Sequence, residues 1–204
     1  MSTTRTSKLF SVGNMTRMAI LTALASILFI LEIPIFPPIY KLDLSNVCAL
    51  LGAFSMGTVP GLIILGLKSV IGLLHSSSAG VGELADFIMG AALVIPASMV
   101  YHHQKTRKNA ILGMLAGTAC IVVFGVLVNK WIMIPFYLGT NDKMTMESIC
   151  AVISAKNSIL NVNSEWQLLL FATAPFNLIK GVVLSVVTAL IYKPLSPLLH
   201  EKIR

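Results

Sequence analysis

Apolar segments long enough to cross a lipid bilayer follow one another along the chain. Crossing the hydrocarbon core of about 30 Å takes about 20 helical residues. The sequence predicts membrane helices over residues 15–35, 44–56, 59–75, 82–101, 110–134 and 168–192. The second segment reaches only about 20 Å and needs shelter from its neighbours. We therefore expect an all-α integral membrane protein, a six-transmembrane-helix bundle that forms a single membrane-embedded domain over residues 1–204.

The composition excludes an ordinary soluble enzyme. Of the 204 residues, 56% are hydrophobic and only 11% are charged, whereas about a quarter of a soluble domain is charged. The three cysteines show no metal-binding spacing. Any function must therefore lie within the helix bundle or at its rim.

The charges are distributed unevenly between the two sides of the predicted bundle. If the N-terminus is cytoplasmic, the inner side carries Arg5, Lys8, Arg17, Lys105, Arg107, Lys108, Lys193, Lys202 and Arg204, with Glu201 as its only acid. The outer side carries Lys41, Lys130, Lys143 and Lys156 beside Glu32, Asp43, Glu83, Asp142, Glu147 and Glu165. Lysine and arginine favour cytoplasmic loops. We therefore expect both termini in the cytoplasm, and the net charge of +7 needs no nucleic-acid partner.

Several polar side chains fall at membrane depth, where a charge costs at least roughly 2.5 to 3.5 kcal/mol. Asn177 and Lys180 share one face of the last helix. They either hold two helices together or contact a ligand, and Asn129 allows the same two interpretations. Lys68 could snorkel, serve a partner interface, or pair with Asp86 or Glu83.

Two outer segments are candidates for covering a ligand. The connection over residues 32–43 combines three prolines with Phe36 and Tyr40, which suits either a rigid wall against a flat ligand or an aromatic anchor at the membrane interface. The connection over residues 135–166 is long for a structureless loop. We expect it to form a partly helical cap.

Small residues recur at four-residue spacing, as in Ala19 with Ala23 and Gly113 with Gly117. Such pairs let helices approach closely. The approaching helix can belong to this chain or to another subunit, and the sequence leaves both possibilities open.

Catalytic and nucleotide-binding motifs are absent from the sequence. The segment Gly61 to Ser69 superficially resembles a phosphate-binding loop, but it has one residue too many before Lys68 and lies in a membrane segment. No metalloprotease or serine-hydrolase motif occurs. We expect a protein that is not an enzyme and has no ATPase of its own.

Three segments carry a resemblance to a known family. They are Phe36 to Val47 (FPPIYKLDLSNV), Gly82 to Gly90 (GELADFIMG) and Pro175 to Gly181 (PFNLIKG). In order and spacing they resemble the riboflavin-specific S-components of energy-coupling factor (ECF) transporters, and the likeness extends from about Arg17 to Tyr192.

The resemblance implies a substrate-binding subunit in the bacterial plasma membrane. It would capture riboflavin from outside as a transported substrate, with no cofactor, and dock on a membrane coupling subunit driven by two cytoplasmic ATPases. The implied substrate-binding residues are Tyr40, Lys41, Leu42, Asp43, Glu83, Asp86, Asn129, Asn177 and Lys180. Ala19 and Ala23 match the pattern that meets the coupling subunit. Asp86 departs from the asparagine expected there, which puts its ligand contact in doubt.

Three other functions compete with this one. A self-sufficient carrier would show paired broken helices or an inverted repeat, and a membrane-embedded enzyme would need a nucleophile with a base or clustered acids. The sequence shows neither pattern. An S-component for another vitamin, such as thiamine or biotin, would have the same composition, so only the three motifs favour riboflavin.

Overall fold

The computed structural model describes residues 11–36, 40–76, 78–140, 145–156 and 162–200. Ten residues of the segments considered above lie outside these ranges: Arg5, Lys8, Pro37, Pro38, Ile39, Asp142, Lys143, Glu201, Lys202 and Arg204.

Helices make up most of the described chain. The elements are α1 (Val12–Ile30), β1 (Ile33–Phe36), β2 (Tyr40–Leu42), α2 (Ser45–Met56), α3 (Thr58–Gly72), α4 (Val81–His103), α5 (Arg107–Val128), α6 (Ile134–Thr140), α7 (Met146–Lys156), α8 (Glu165–Gln167) and α9 (Ala174–His200). A π-helical turn over Asn129–Met133 joins α5 to α6, and another over Leu168–Thr173 joins α8 to α9.

Five helical runs in the described residues are long and apolar enough to cross a bilayer. They are Val12–Ile30, Thr58–His75, Val81–His103, Arg107–Thr140 and Glu165–Tyr192. Helix α2 has only 12 residues, and its side chains from Ser45 to Phe54 are buried. This short helix is therefore enclosed by the longer ones, which shield it from lipid.

A β-hairpin caps one end of the bundle. Strands β1 and β2 pair antiparallel, with Ile33 opposite Leu42 and Phe36 opposite Tyr40. The expectation of a helix reaching residue 35 is wrong here, since α1 ends at Ile30 and a short hairpin follows in an otherwise helical bundle. A proline inside a helix removes a backbone hydrogen bond and clashes with the preceding turn, so the chain leaves the helical path before Pro34. We term this end of the bundle the hairpin end.

The long connection after α5 folds back on the hairpin end. Helix α7 lies within it, and its buried residues Ile149, Cys150 and Ile153 form one apolar cluster with Tyr40 and Leu168. Burial raises the pKa of the Cys150 thiol. The connection thus contains helices, as expected of a cap, and packs beside the hairpin.

Glycines bring α4 and α5 into direct contact. A Cβ atom added at Gly113 would lie 2.4 Å from the Ala97 carbonyl oxygen, and one at Gly117 would lie 2.4 Å from that of Leu93. No real side chain fits at such distances. This glycine pair therefore serves packing within the chain.

Ala19 and Ala23 differ from these glycines because they are exposed on α1. The buried face of the same helix carries Met18, Leu21 and Ala25. The alanine pair therefore faces away from the rest of the chain.

Candidate substrate-binding site

A cavity of about 200 Å³ opens at the hairpin end, among α1, the hairpin, α3, α4, the π-helical turn over Asn129–Met133, α6 and α9. Its wall mixes apolar and aromatic side chains with a few buried polar groups. Of the nine residues expected to bind substrate, eight line it: Tyr40, Lys41, Asp43, Glu83, Asp86, Asn129, Asn177 and Lys180. The ninth, Leu42, is half-buried on β2 and does not line the cavity.

Lys180 is the buried cation of the site. Its Nζ lies 3.0 Å from Oδ2 of Asp43 and 3.4 Å from Oδ1 of Asp86, and all three side chains are nearly inaccessible. Burial alone would raise the pKa of Asp43, but the charges of Lys180 and Lys68 hold it well below its usual range. The Asp43 carboxylate therefore stays ionised, and Lys180 has an anion on two sides.

Two buried amides line the cavity, Asn177 on α9 and Asn129 at the first π-helical turn. Asn177 donates from Nδ2 to the Thr173 carbonyl at 2.9 Å, and Asn129 donates to the Gly125 carbonyl at 2.7 Å. The Oδ1 atom of Asn177 is buried and has no hydrogen-bond partner among the described residues. A buried acceptor without a partner is costly, so a ligand donor that reached this oxygen would remove that cost.

Both amides adjoin a π-helical turn. Asn129 begins one turn, and Thr173, whose carbonyl binds Asn177, ends the other. Each turn ends two residues before a proline, Pro135 or Pro175. Proline removes one helical hydrogen bond, and the wider π turn is a common way for a helix to accommodate such a disturbance at a functional site. Neither turn was predicted from the sequence, although Pro135 and Pro175 were a usable signal.

The hairpin is held against α9 by Tyr40. Its hydroxyl shares a hydrogen bond with that of Thr173, and its ring centroid lies 5.1 Å from that of Phe176. Burial raises the pKa of Tyr40 to about 12, so the phenol remains neutral. Tyr40 thus forms an apolar wall of the cavity and fixes the position of β2.

The rim of the cavity carries two further acids. Glu83, at the start of α4, accepts hydrogen bonds from Ser76 at 2.8 Å and Ser78 at 3.4 Å. Glu32 forms an ion pair with Lys41 across the hairpin. Both carboxylates are therefore held by neighbouring residues of this chain.

Lys68 lies behind the cavity wall and contacts Asp86, the same carboxylate that neighbours Lys180. Its Nζ lies 2.5 Å from Oδ2 of Asp86. Of the roles that the sequence leaves open for Lys68, the ion pair with Asp86 is the one observed. Glu83 instead accepts hydrogen bonds from Ser76 and Ser78. Ser45 and Asn46, which were not predicted from the sequence, also accept hydrogen bonds from Lys68.

Comparisons with known proteins agree with this architecture. The chain is 28% identical to the riboflavin transporter RibU of Staphylococcus aureus (strain TCH60) over 91% of this chain and 93% of that protein. It is 26% identical to the riboflavin transporter FmnP of Bacillus subtilis (strain 168) over 91% of this chain and 95% of that one.

A solved structure and a family model extend the comparison. The structure, described as the S component of a bacterial ECF transporter, matches with a TM-score of 0.69 and 27% identity, covering 92% of this chain and 98% of its own. The sequence model of the family described as ECF transporter, substrate-specific component, matches residues 13–192. Because that match covers most of the sequence, the chain belongs to the family of substrate-specific components of ECF transporters.

Proposed function

We propose that this chain binds riboflavin at the hairpin end and delivers it through an ATP-driven ECF transporter. The observation that carries the proposal is the cavity itself, where the Lys180 ammonium, the Asp43 carboxylate and the unpartnered Asn177 oxygen converge. The names of the relatives, riboflavin transporters of several bacteria, point to the same substrate.

The chemistry of riboflavin suits this cavity. Its isoalloxazine ring is planar, with one polar edge that carries donors and acceptors, and its ribityl chain carries hydroxyls. A suitable site needs apolar walls and a few fixed polar groups. Tyr40, Met133 and Phe176 supply apolar surface, and Asn177 and Lys180 supply a buried acceptor and donor.

The hairpin end faces the outside of the cell membrane in this proposal. The opposite end of the bundle carries Arg17, Lys105, Arg107 and Lys108, and the described ranges place no acid beside them. Basic residues favour the cytoplasmic side. Both termini are then cytoplasmic, and the cavity opens to external riboflavin.

The energy for uptake comes from other subunits in this proposal. The sequence has no nucleotide-binding motif, so the chain would dock on a membrane coupling subunit that is driven by two cytoplasmic ATPases. The exposed pair Ala19 and Ala23 on α1 is the proposed contact, because small residues allow another helix to approach closely. Riboflavin would be the transported substrate and not a cofactor.

Purification from cells grown with riboflavin tests the proposal directly. The detergent-solubilised chain should be yellow and show the visible absorption bands of a flavin. The chain freed of vitamin should quench riboflavin fluorescence to a one-to-one end point, with thiamine and biotin unable to compete. Absence of quenching by a correctly folded sample contradicts the proposal, and competition by thiamine or biotin would reassign the substrate.

A further inference from the structure

Lys68 is buried behind the cavity and does not line it. Its side chain has no exposed surface. Its ammonium donates to Oδ2 of Asp86 at 2.5 Å, to the Ser45 hydroxyl at 2.7 Å and to Oδ1 of Asn46 at 2.8 Å. An ammonium has three donors, and here each has an acceptor. Lys68 is thus held firmly in place without touching the proposed ligand position.

Asp86 connects Lys68 to the cavity. Its Oδ2 binds Lys68, whereas its Oδ1 lies 3.4 Å from the Nζ of Lys180. On its other side Lys180 binds Asp43, whose Oδ1 accepts a hydrogen bond from the Ser45 hydroxyl. Because Ser45 also accepts from Lys68, the contacts close a ring of five side chains, Lys68, Asp86, Lys180, Asp43 and Ser45. The ring contains two lysines and two aspartates, so its formal charges cancel.

We propose that Lys68 is a positioning residue for riboflavin binding. Its ammonium neutralises the Asp86 carboxylate, so that Lys180 can pair with Asp43 and donate a hydrogen bond to the ligand. The inference rests on the function proposed above. Without Lys68, the Asp86 carboxylate would have Lys180 as its nearest cation. The attraction between buried charges is strong, and it would draw the Lys180 ammonium from the cavity toward Asp86.

The other groups near Lys68 do not neutralise Asp86 in its place. Glu83 lies one helical turn before Asp86 but accepts from Ser76 and Ser78. From α1, the ring of Phe29 lies 5.0 Å from the Lys68 ammonium and carries no charge. Lys68 is therefore the cation in direct contact with Asp86 on the side away from the cavity.

Riboflavin titrations of three variants of the full chain test this role. Lys68→Met should weaken binding by about 10- to 100-fold, since coupled charges interact strongly. Asp86→Asn removes the charge that Lys68 balances, so adding it to Lys68→Met should recover at least about tenfold of that loss. A loss caused only by altered packing around residue 68 would not be recovered by changing Asp86.

Lys130→Met is the matched control. Lys130 also lies at the hairpin end, over the ring of Trp166, but does not line the cavity. Its replacement should leave riboflavin affinity within about threefold of the unmodified chain.

The outcomes separate this inference from the proposed function. Unmodified affinity in Lys68→Met overturns the inference, and so does a double variant that binds no better than Lys68→Met. If Lys68→Met does not fold, the double variant is compared with Asp86→Asn alone. Riboflavin affinities of these two variants that agree within about threefold support the proposal. An affinity of the double variant about tenfold or more below that of Asp86→Asn overturns it. If the unmodified chain itself does not bind riboflavin, the proposed function fails and takes the inference with it.

Discussion

The Nζ of Lys180 lies 3.0 Å from Oδ2 of Asp43, although 137 positions separate the two residues in the chain. The pair joins the start of α2 to the middle of the last membrane helix, and both side chains are almost fully buried. Removing one partner of a buried pair leaves an uncompensated charge, which is strongly destabilising. The same contact therefore supports the fold and shapes the cavity.

The polar face of α9 gives the first prediction. Asn177→Ala and Lys180→Ala should each weaken riboflavin binding, because each removes a buried hydrogen-bonding group. The loss of about 1 to 3 kcal/mol corresponds to roughly 5- to 150-fold in affinity. Quenching of flavin fluorescence measures it. Thr188→Val on the same helix, at a buried residue away from the cavity, should bind normally. Normal binding by both α9 variants would remove this helix from the site.

Gly125 gives the second prediction, because its missing side chain makes room for Asn177. A Cβ atom at Gly125 would lie 2.4 Å from Nδ2 of Asn177. Gly125→Ala should therefore displace the Asn177 amide and weaken riboflavin binding by about tenfold, the equivalent of one hydrogen bond.

Gly139→Ala is the control for this substitution. It makes the same chemical change in a helix where an added Cβ meets nothing within 4 Å. It should leave riboflavin affinity unchanged. Equal affinities for the two variants would show that the close approach of Gly125 to Asn177 does not matter for binding.

The alanine pair on α1 gives the third prediction. Replacing Ala19 and Ala23 together by tryptophan should fill the surface proposed to meet the coupling subunit. Riboflavin affinity should stay near normal because neither residue lines the cavity. Cells that depend on the variant should lose riboflavin uptake, and the variant should fail to co-purify with the ATPase subunits.

The control for the alanine pair places two tryptophans at the same spacing on another exposed helix face. Leu115→Trp with Ala119→Trp on α5 serves this purpose, as both positions are exposed. Uptake should persist in this variant. If uptake also persists with tryptophan at Ala19 and Ala23, the pair is not the coupling surface.

The Asp43 carboxylate gives the fourth prediction, on pH. Its pKa lies well below the ordinary value, since the charges of Lys180 and Lys68 outweigh the effect of burial. The stabilisation from this ionised group is complete above its ordinary pKa and is lost as the pH falls toward the lowered one. Riboflavin affinity should therefore stay constant from about pH 8 to about pH 5. Titrations across that range check it, and a decline near neutral pH would contradict it.

The polar face of α9 could be predicted from the sequence because the evidence is local. Asn177 and Lys180 are three residues apart in an apolar helix, and a charge at membrane depth needs a partner or a cavity. The sequence alone does not show which carboxylate pairs with Lys180. Its partners Asp43 and Asp86 come from the hairpin junction and from α4. Only the packing of distant segments decides such a pairing.

The hairpin could not be predicted from the local sequence. The prolines and aromatic residues over 32–43 predict either a rigid wall or an aromatic anchor. Strand pairing over residues 33–42 depends on register, which single-residue preferences do not specify. The family resemblance supplied eight of the residues that line the cavity. It did not supply Lys68, whose contacts with Ser45, Asn46 and Asp86 lie behind the wall.

The charge-balanced ring around Lys68 and Lys180 has an electrical consequence. A membrane potential does work of about 2.3 kcal/mol for each elementary charge moved across 100 mV. The two lysines and two aspartates cancel, so a shift of this ring in depth carries no net charge through the field. Riboflavin is itself uncharged at neutral pH. The voltage across the membrane therefore does no net work on these four charges when they move together.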